Sequence, residues 1–225
     1  VPAGIAPLEV QVVALDWKWL FIYPREGVAT VNELALPVDR PVRFLLTSSS
    51  VMNAFYIPEL AGMIYTMPGM QTELNAVANQ SGNFEGFSSN YSGAGFSHMR
   101  FRVRATDAAG FDAWVQEARA GGERLDRARY LALEKPSERE PARVFAGVDN
   151  GLYDAILNRC VDPRRMCMHE MMAIDAAGGR PAAGSGLAVL QDRSRGDLRG
   201  RPFVPSQTCS ADAVRPAWTL ALSAP

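Results

Sequence analysis

Short stretches in which apolar and polar residues alternate dominate the chain up to Thr106. Alternation with a period of two predicts strands buried on one face, and the β-branched and aromatic residues in these stretches favour the same assignment. Turn sequences such as Pro-Arg-Glu-Gly and Asn-Gln-Ser-Gly separate them, at a spacing typical of a β-sandwich. We therefore predict a mainly β fold with strands over residues 9–15, 30–36, 42–47, 71–78 and 99–104.

The hydrophobic period becomes helical after residue 106. Asp107 is a suitable N-cap for a first helix, and Gly121 is a suitable end. Two further helices are predicted over residues 125–134 and 151–159. The residues expected on the buried face of the first helix, which we expect to pack on the sandwich, are Phe111, Trp114, Val115 and Ala118.

The chain becomes rich in Ala, Gly, Arg and Pro from about residue 173, without sustained periodicity. Such composition is typical of disordered segments because it cannot bury enough apolar surface to fold. The predicted organisation is a β domain over residues 1–106, a helical extension over 107–172 and a disordered tail over 173–225.

Composition narrows the classes of partner. The 23 Lys and Arg residues balance 24 acidic residues, so no strong positive field indicates nucleic acid. The sequence contains no run of 18 or more apolar residues, the length that a membrane-spanning helix requires. The cysteines, Cys160, Cys167 and Cys209, all fall outside the β domain, so its fold does not depend on a disulfide framework.

The segment from Gly86 to Met99 has the form of a copper-binding loop without its ligands. A dinuclear copper centre needs two bridging thiolates four residues apart, then an imidazole and a thioether, because soft sulfur and imidazole ligands hold copper. The chain has Ser88, Ser92, Phe96 and Met99 at those positions. A serine hydroxyl is a hard, neutral ligand and a phenyl ring has no lone pair, so only the thioether remains.

This loop, together with other ordered segments, resembles subunit II of the haem-copper oxidases. The resemblance is closer to the quinol-oxidising branch of the cytochrome bo type, whose subunit II keeps the fold and lacks the copper centre. It includes an extension similar to the aromatic-rich arm of that subunit, and it fades after Cys160. The segments that carry it are Trp17-Lys18-Trp19 and residues 50–58, 62–72, 86–99, 136–138 and 150–154.

The resemblance implies a cupredoxin-like Greek-key barrel whose copper centre has been lost. Asn53 stands where a second imidazole would be, and we expect its side chain to hydrogen-bond with Ser88 across the former metal pocket. The positions that correspond to the lost ligands are Asn53, Ser88, Asn90, Ser92, Phe96 and Met99.

The function that the resemblance implies is that of a non-catalytic subunit. The complete oxidase oxidises ubiquinol, reduces oxygen to water and moves protons, with haem, copper and the quinol site on subunit I. This chain would carry no cofactor and would cap subunit I on the periplasmic side. We also expect it to be a fragment of a longer protein anchored in the bacterial inner membrane by transmembrane helices outside this sequence.

Two other functions remain open from the residues alone. The chain could be a subunit II that binds copper and accepts electrons from cytochrome c, although Ser88, Ser92, Asn53 and Phe96 argue against it. It could instead be a free periplasmic copper-handling module, because a fold does not determine a function.

Several other groups of residues have a structural and a functional interpretation. Alternate residues from Trp17 to Tyr23 form an aromatic stripe for which we favour packing over an electron path. For Met63, Met67, Met70 and Met99 we favour a core or interface role over copper(I) binding. Weak soft-metal candidates are Cys160, Cys167 and His169, although we favour disulfide pairing among the three cysteines. Neither histidine, His98 or His169, has an evident catalytic partner, so no catalytic residue is predicted.

Overall fold

Two β-sheets face each other across an apolar core in the computed structural model, which describes residues 6–178. A third, two-stranded sheet lies in the extension. The strands are β1 Leu8–Leu15, β2 Lys18–Tyr23, β3 Val28–Val31, β4 Glu33–Pro37, β5 Pro41–Ser48, β6 Asn53–Ile57, β7 Ala61–Thr66, β8 Thr72–Val77, β9 Gly82–Ser88, β10 Arg100–Thr106, β11 Arg124–Leu125, β12 Arg143–Phe145 and β13 Gly147–Val148.

The strand order shows that the chain moves repeatedly between the two large sheets. One sheet has the order β12-β3-β2-β1-β5-β8, and the other has the order β4-β10-β9-β6-β7. Strands β1 and β5 pair in parallel, as do β4 and β10, although most neighbouring strands are antiparallel. The predicted mainly β sandwich is confirmed, and strand β12 of the extension joins its six-stranded sheet.

The strand predicted over residues 30–36 is wrong, because this stretch forms β3 and β4 in different sheets. Asn32, between them, has a φ of 54°, in the left-handed region that Asn tolerates better than most residues. Its side chain accepts a hydrogen bond from the Trp19 backbone N–H and donates one to the Glu140 carbonyl, each 2.8 Å long. The chain therefore crosses from one sheet to the other at Asn32.

Helix α1, Ala108–Ala120, packs against the sandwich as predicted. The Asp107 side chain caps it by accepting a hydrogen bond from the Gly110 backbone N–H at 2.8 Å. The indole of Trp114 packs edge-on against Tyr23, whose ring lies inside the sandwich. All of the predicted buried face, Phe111, Trp114, Val115 and Ala118, is buried.

The extension covers the outer face of the six-stranded sheet and so creates a second core. Val12 and Ala14 of β1 point between the sheets, whereas Val13 and Leu15 point toward the extension. Helices α2, Arg127–Glu134, and α3, Leu152–Leu157, pack against this outer face. This explains why all six residues of β2 are buried.

The predicted boundaries of the extension need correction. Helix α2 begins at Arg127 rather than at 125, because Leu125 pairs in β11 and Asp126 provides the N-cap. The extension also contains strands as well as helices. A fourth helix, α4, runs over Met168–Ala176, so the first residues assigned to the disordered tail are helical. The remainder of that predicted tail, from residue 179, lies outside the described residues.

Candidate functional site

Asn53 and Ser88 form the buried centre of the candidate site. Strands β6 and β9 pair antiparallel with Phe55 opposite Ser88, which places the ends of the two strands side by side. The Ser88 hydroxyl donates to Asn53 Oδ1 over 3.1 Å, and the two residues are only 4% and 1% exposed. Asn53 in turn donates through Nδ2 to the Val51 carbonyl at 3.2 Å. The hydrogen bond expected from the sequence is therefore confirmed.

Asn90 extends this polar cluster to the surface. Its Nδ2 lies 3.3 Å from the carbonyl oxygens of both Met52 and Tyr91, so it ties the β9–β10 loop to the segment before β6. The Asn90 carbonyl lies 3.3 Å from the Ser88 hydroxyl. Three of the predicted positions, Asn53, Ser88 and Asn90, thus form one hydrogen-bonded group.

Ser92 and Met99 face each other on the other side of the loop. The Ser92 hydroxyl lies 4.0 Å from the Met99 sulfur, and Met99 is buried in the sandwich core. Phe96 is half-buried and packs edge-on against Tyr91, with ring centroids 5.7 Å apart. These positions offer one thioether, hydroxyls, amides and a phenyl ring. They do not suit a dinuclear copper centre, which requires thiolate and imidazole ligands.

Trp17 determines the shape of the loop. Its indole N–H donates to the Ser92 carbonyl over 3.1 Å. A Cβ added at Gly95 would lie 2.5 Å from the Trp17 ring, so only glycine leaves room for the indole there. Gly93 approaches the same ring and has a φ of 118°, which also favours glycine. The Trp17 side chain therefore packs against one side of the loop. The rest of the aromatic stripe lies in the sandwich core, as favoured from the sequence, and consists of Trp19, Phe21 and Tyr23.

The methionines do not share one environment. Met99 is buried, whereas Met63 and Met70 are 45% and 54% exposed. Met63 lies on β7, an edge strand, with its sulfur 2.8 Å from the Ser89 hydroxyl. The core interpretation therefore holds for Met99, and the exposed methionines agree with the interface interpretation.

Lys18 is a buried cation that the sequence analysis missed. Its ammonium donates to the Lys135 carbonyl at 2.8 Å and to the Ser137 hydroxyl at 2.6 Å, so it joins the β1–β2 hairpin to the extension. Burial lowers the pKa of Lys18, and the nearby carboxylates of Glu140 and Asp16 oppose this shift. Its signal in the sequence is a single charge between Trp17 and Trp19, at the start of an otherwise apolar strand.

The soft-metal candidates lie apart from the loop, in the extension. Cys160 and Cys167 form a disulfide, one of the pairings left open from the sequence, and Cys209 lies outside the described residues. His169 is exposed in the first turn of α4. Within residues 6–178, three or more His, Cys, Asp or Glu side chains do not converge into a metal-binding group.

Two family models match the chain and together cover more than half of it. The cytochrome c oxidase subunit II periplasmic domain matches residues 10–106, and the aromatic-rich motif of cytochrome oxidases matches residues 119–164. The boundary between them falls close to α1. The first match contains all of the candidate loop, and the second contains α2 and α3.

Curated relatives of the chain are subunits of quinol oxidases. Cytochrome bo(3) ubiquinol oxidase subunit 2 of Pseudomonas putida is 48% identical over 157 residues, which cover 70% of this chain and 50% of that protein. Ubiquinol oxidase subunit 2 of Acetobacter aceti is 51% identical over 155 residues, which cover 69% of this chain and 50% of that protein. The chain thus spans about half the length of these relatives.

Among solved structures, the periplasmic domain of subunit II of cytochrome oxidase (CoxB) of Bradyrhizobium japonicum aligns with 51% of this chain and 95% of its own. The identity is 25% and the TM-score is 0.49, which is too low to add to the family assignment.

Proposed function

This chain belongs to the cytochrome c oxidase subunit II family, and on that premise we propose that it is the periplasmic domain of subunit II of a ubiquinol oxidase. Two observations favour this over a cytochrome c oxidase. Its curated relatives, which are about 50% identical in sequence, are named as ubiquinol oxidase subunits. Its loop also offers hydroxyl and amide groups where a copper centre needs thiolates and imidazoles.

The hydrogen bond between Ser88 and Asn53 is the observation that carries the proposal. Buried polar side chains are costly unless they are paired, and these two satisfy each other where copper ligands would otherwise meet. We infer that the dinuclear copper centre has been replaced by a polar contact that holds β6 and β9 together. The loop from residue 86 to 99 is then a structural element rather than an electron entry port.

The proposed role of the chain is to cap subunit I on the periplasmic side, as one subunit of an oxidase that couples quinol oxidation to oxygen reduction and proton translocation. The haem and copper groups and the quinol site belong to subunit I in this proposal. A lipid-soluble quinol delivers its electrons within the membrane, so a relay from a soluble cytochrome is unnecessary. None of the predicted site residues then performs a redox step.

Membrane attachment is part of the same proposal. Helices long and apolar enough to cross a bilayer do not occur among residues 6–178. We propose that the anchor lies in sequence beyond this chain, because the relatives are about twice as long as the part that matches. We also propose the division into a cupredoxin-like domain over residues 1–106 and an arm-like extension over 107–172.

Oxygen uptake by the native complex tests the proposal. Membranes that contain the complete oxidase are supplied with either ubiquinol or reduced cytochrome c, and the rates are compared before and after addition of a detergent that opens access to both donors. We expect uptake with ubiquinol and none above background with cytochrome c. Preference for cytochrome c would overturn the proposal.

A copper-loading experiment on this chain distinguishes the proposed function from the remaining alternative, a free copper-handling module. The 225-residue chain is incubated with Cu(I) and Cu(II), dialysed, and assayed for bound copper and near-infrared absorption. We expect no retained stoichiometric copper and no such absorption band. One retained equivalent that is lost in Cys167→Ser or His169→Ala would instead favour a copper-handling role.

A further inference from the structure

The exposed large apolar side chains of residues 6–178 lie together on one part of the surface instead of being scattered over it. Met63 and Tyr65 are on the outer face of β7, because Ile64 between them packs against the sandwich core. Met171 and Met172 are on α4, which begins beside the turn after β7. The side chains around β7 and the candidate loop, which we call the β7 patch, are Val51, Met52, Met63, Tyr65, Met70 and Tyr91.

Strand pairing and hydrogen bonds make the β7 patch continuous. Tyr65 is opposite Ala54 in the pairing of β7 with β6, just after the segment that contains Met52. The Asn90 amide joins the carbonyls of Met52 and Tyr91, so the candidate loop is held against the same segment. Single exposed apolar residues are normal on a protein surface, whereas a continuous patch of them marks an interaction site.

The outer face of the five-stranded sheet changes from charged to uncharged toward β7. On its β4–β10–β9 side, Arg100 pairs with Glu85 at 2.9 Å and Arg104 pairs with Glu33 at 3.7 Å. On its β7 side, residues 60–72 contain no charged residue. The first half therefore has the character of a solvated surface, and the second half does not.

Strand β7 is also an edge strand, the last in the order of its sheet. Exposed edges in native proteins are protected by charged side chains, by proline or by a covering element, because an unprotected edge pairs with other chains. Strand β7 has neither a charge nor a proline among Ala61–Thr66, and Met63 and Tyr65 are exposed on it. The outer face of the six-stranded sheet, in contrast, is covered by the extension. The β7 edge therefore requires a covering partner from outside this chain.

We propose that the β7 patch is the surface through which this chain binds subunit I, at an apolar and uncharged region on the periplasmic side of that subunit. This inference rests on the proposed function, in which the chain is one subunit of an oxidase. Protein interfaces are enriched in Met and Tyr and depleted of charge at their centre, as the patch is. Binding to a lipid surface relies instead on Lys and Arg next to the apolar residues, and residues 60–72 contain neither.

A charge introduced into the patch tests the proposal in the complete oxidase. Subunit I is captured from detergent-solubilised membranes, and the amount of subunit II retained with it is measured. We expect Met63→Glu to lower retention at least about tenfold, because the interface would bury an unpaired carboxylate. The matched control is Asn83→Glu, which is exposed on the charged half of the same sheet face, opposite Arg104, and should leave retention unchanged. Unchanged retention in Met63→Glu, or equal loss in both variants, would overturn the proposal.

Photo-crosslinking tests the contact without disturbing it by a charge. Complete subunit II carries p-benzoylphenylalanine in place of Tyr65 or, as the control, in place of Gln116, which is exposed on α1 where that helix packs on β4 and β10. Irradiation should link position 65 to subunit I and should give no such product from position 116. A product that joins position 65 only to a second copy of subunit II would show self-association and overturn the proposal.

Two further measurements separate the possible failures. Flotation of the 225-residue chain with phosphatidylglycerol vesicles should show no binding, and binding that Met63→Glu abolishes would assign the patch to lipid instead. Oxygen uptake with ubiquinol and with cytochrome c is measured in the same membranes as retention. Preference for cytochrome c would overturn the proposed function while loss of retention in Met63→Glu still supported the docking surface. Ubiquinol-dependent uptake with full retention in Met63→Glu would overturn the docking surface alone.

Discussion

The Ser88 hydroxyl donates to Asn53 Oδ1 across the junction of β9 and β6, with a separation of 3.1 Å. Both side chains are buried, so water cannot replace either partner without reorganisation. The contact therefore links two loops that copper ligation would link in a metal-containing subunit II. A neutral hydrogen bond provides less stabilisation than metal ligation, but it needs no metal to be delivered.

Removal of either partner of this pair should destabilise the chain. We expect Asn53→Ala and Ser88→Ala each to lower the free energy of unfolding by about 1–3 kcal/mol. Ser88→Ala leaves the buried Asn53 Oδ1 without its donor, and Asn53→Ala removes a buried hydrogen-bonded side chain and leaves the Ser88 hydroxyl with the Asn90 carbonyl as its remaining acceptor. The double variant should cost less than the sum of the two single variants. Urea denaturation of the four proteins measures this coupling.

Asn75→Ala is the matched control for that cycle. Asn75 donates to Glu73 at 3.1 Å on the exposed face of β8, so its loss should change the free energy of unfolding by no more than about 0.5 kcal/mol. If Asn53→Ala changed stability as little as the control, the pair would have no structural role.

A methyl group at Gly95 should disturb the loop through Trp17. The Cβ of Gly95→Ala would lie 2.5 Å from the indole, so the ring or the loop must move, at a cost of about 1–3 kcal/mol. Gly62→Ala on β7, where an added Cβ has no neighbour within 4 Å, should be close to neutral. Thermal unfolding compares the two variants, and equal midpoints would show that the loop does not depend on this close approach.

The sequence predicted the sandwich and the first helix well, because both depend on local patterns. The Asp107 cap and the buried face around Trp114 follow directly from helical periodicity. The division at Asn32 was missed, because alternation continues through residues 30–36 and does not reveal that the chain changes sheets. A left-handed backbone at one asparagine determines that change.

The contents of the candidate site were predictable only in part. The spacing of the residues indicated that Ser88 and Asn53 stand at positions of copper ligands. The hydrogen bond between them was predicted from that placement. The role of Lys18 depends on contacts with a distant segment, which single-sequence periodicity does not specify. Lys18 meets a carbonyl 117 residues away.

The disulfide between Cys160 and Cys167 should stabilise the end of the extension. Closure of a loop with a sequence separation of 7 corresponds to about 2–3 kcal/mol in a chain-entropy estimate. We expect reduction, or the double variant Cys160→Ser with Cys167→Ser, to lower the free energy of unfolding by up to that amount. Mass spectrometry of a non-reducing digest should recover these two cysteines in one linked peptide. Linkage of either one to Cys209 would contradict the pairing.

Lys18 should give the chain a distinctive dependence on pH. Because its pKa in the folded protein lies below the unfolded value of 10.5, the unfolded state binds more protons between the two values. The free energy of unfolding should therefore rise with pH in that interval and become level above about 10.5. Lys18→Met should lose this rise. It should also cost about 1–3 kcal/mol at neutral pH, because the Lys135 carbonyl and the Ser137 hydroxyl lose their donor.

Lys135→Met is the matched control, because its side chain is exposed while its carbonyl still accepts from Lys18. Urea denaturation at several pH values measures the difference between each variant and the parent chain, so that titrations common to all three proteins cancel. We expect the parent and Lys135→Met to gain stability together as pH rises, and the difference between the parent and Lys18→Met to widen. Parallel curves of the free energy of unfolding against pH for the parent and Lys18→Met would contradict this prediction. They would show that burial of the charged Lys18 ammonium does not lower stability at pH values below its pKa.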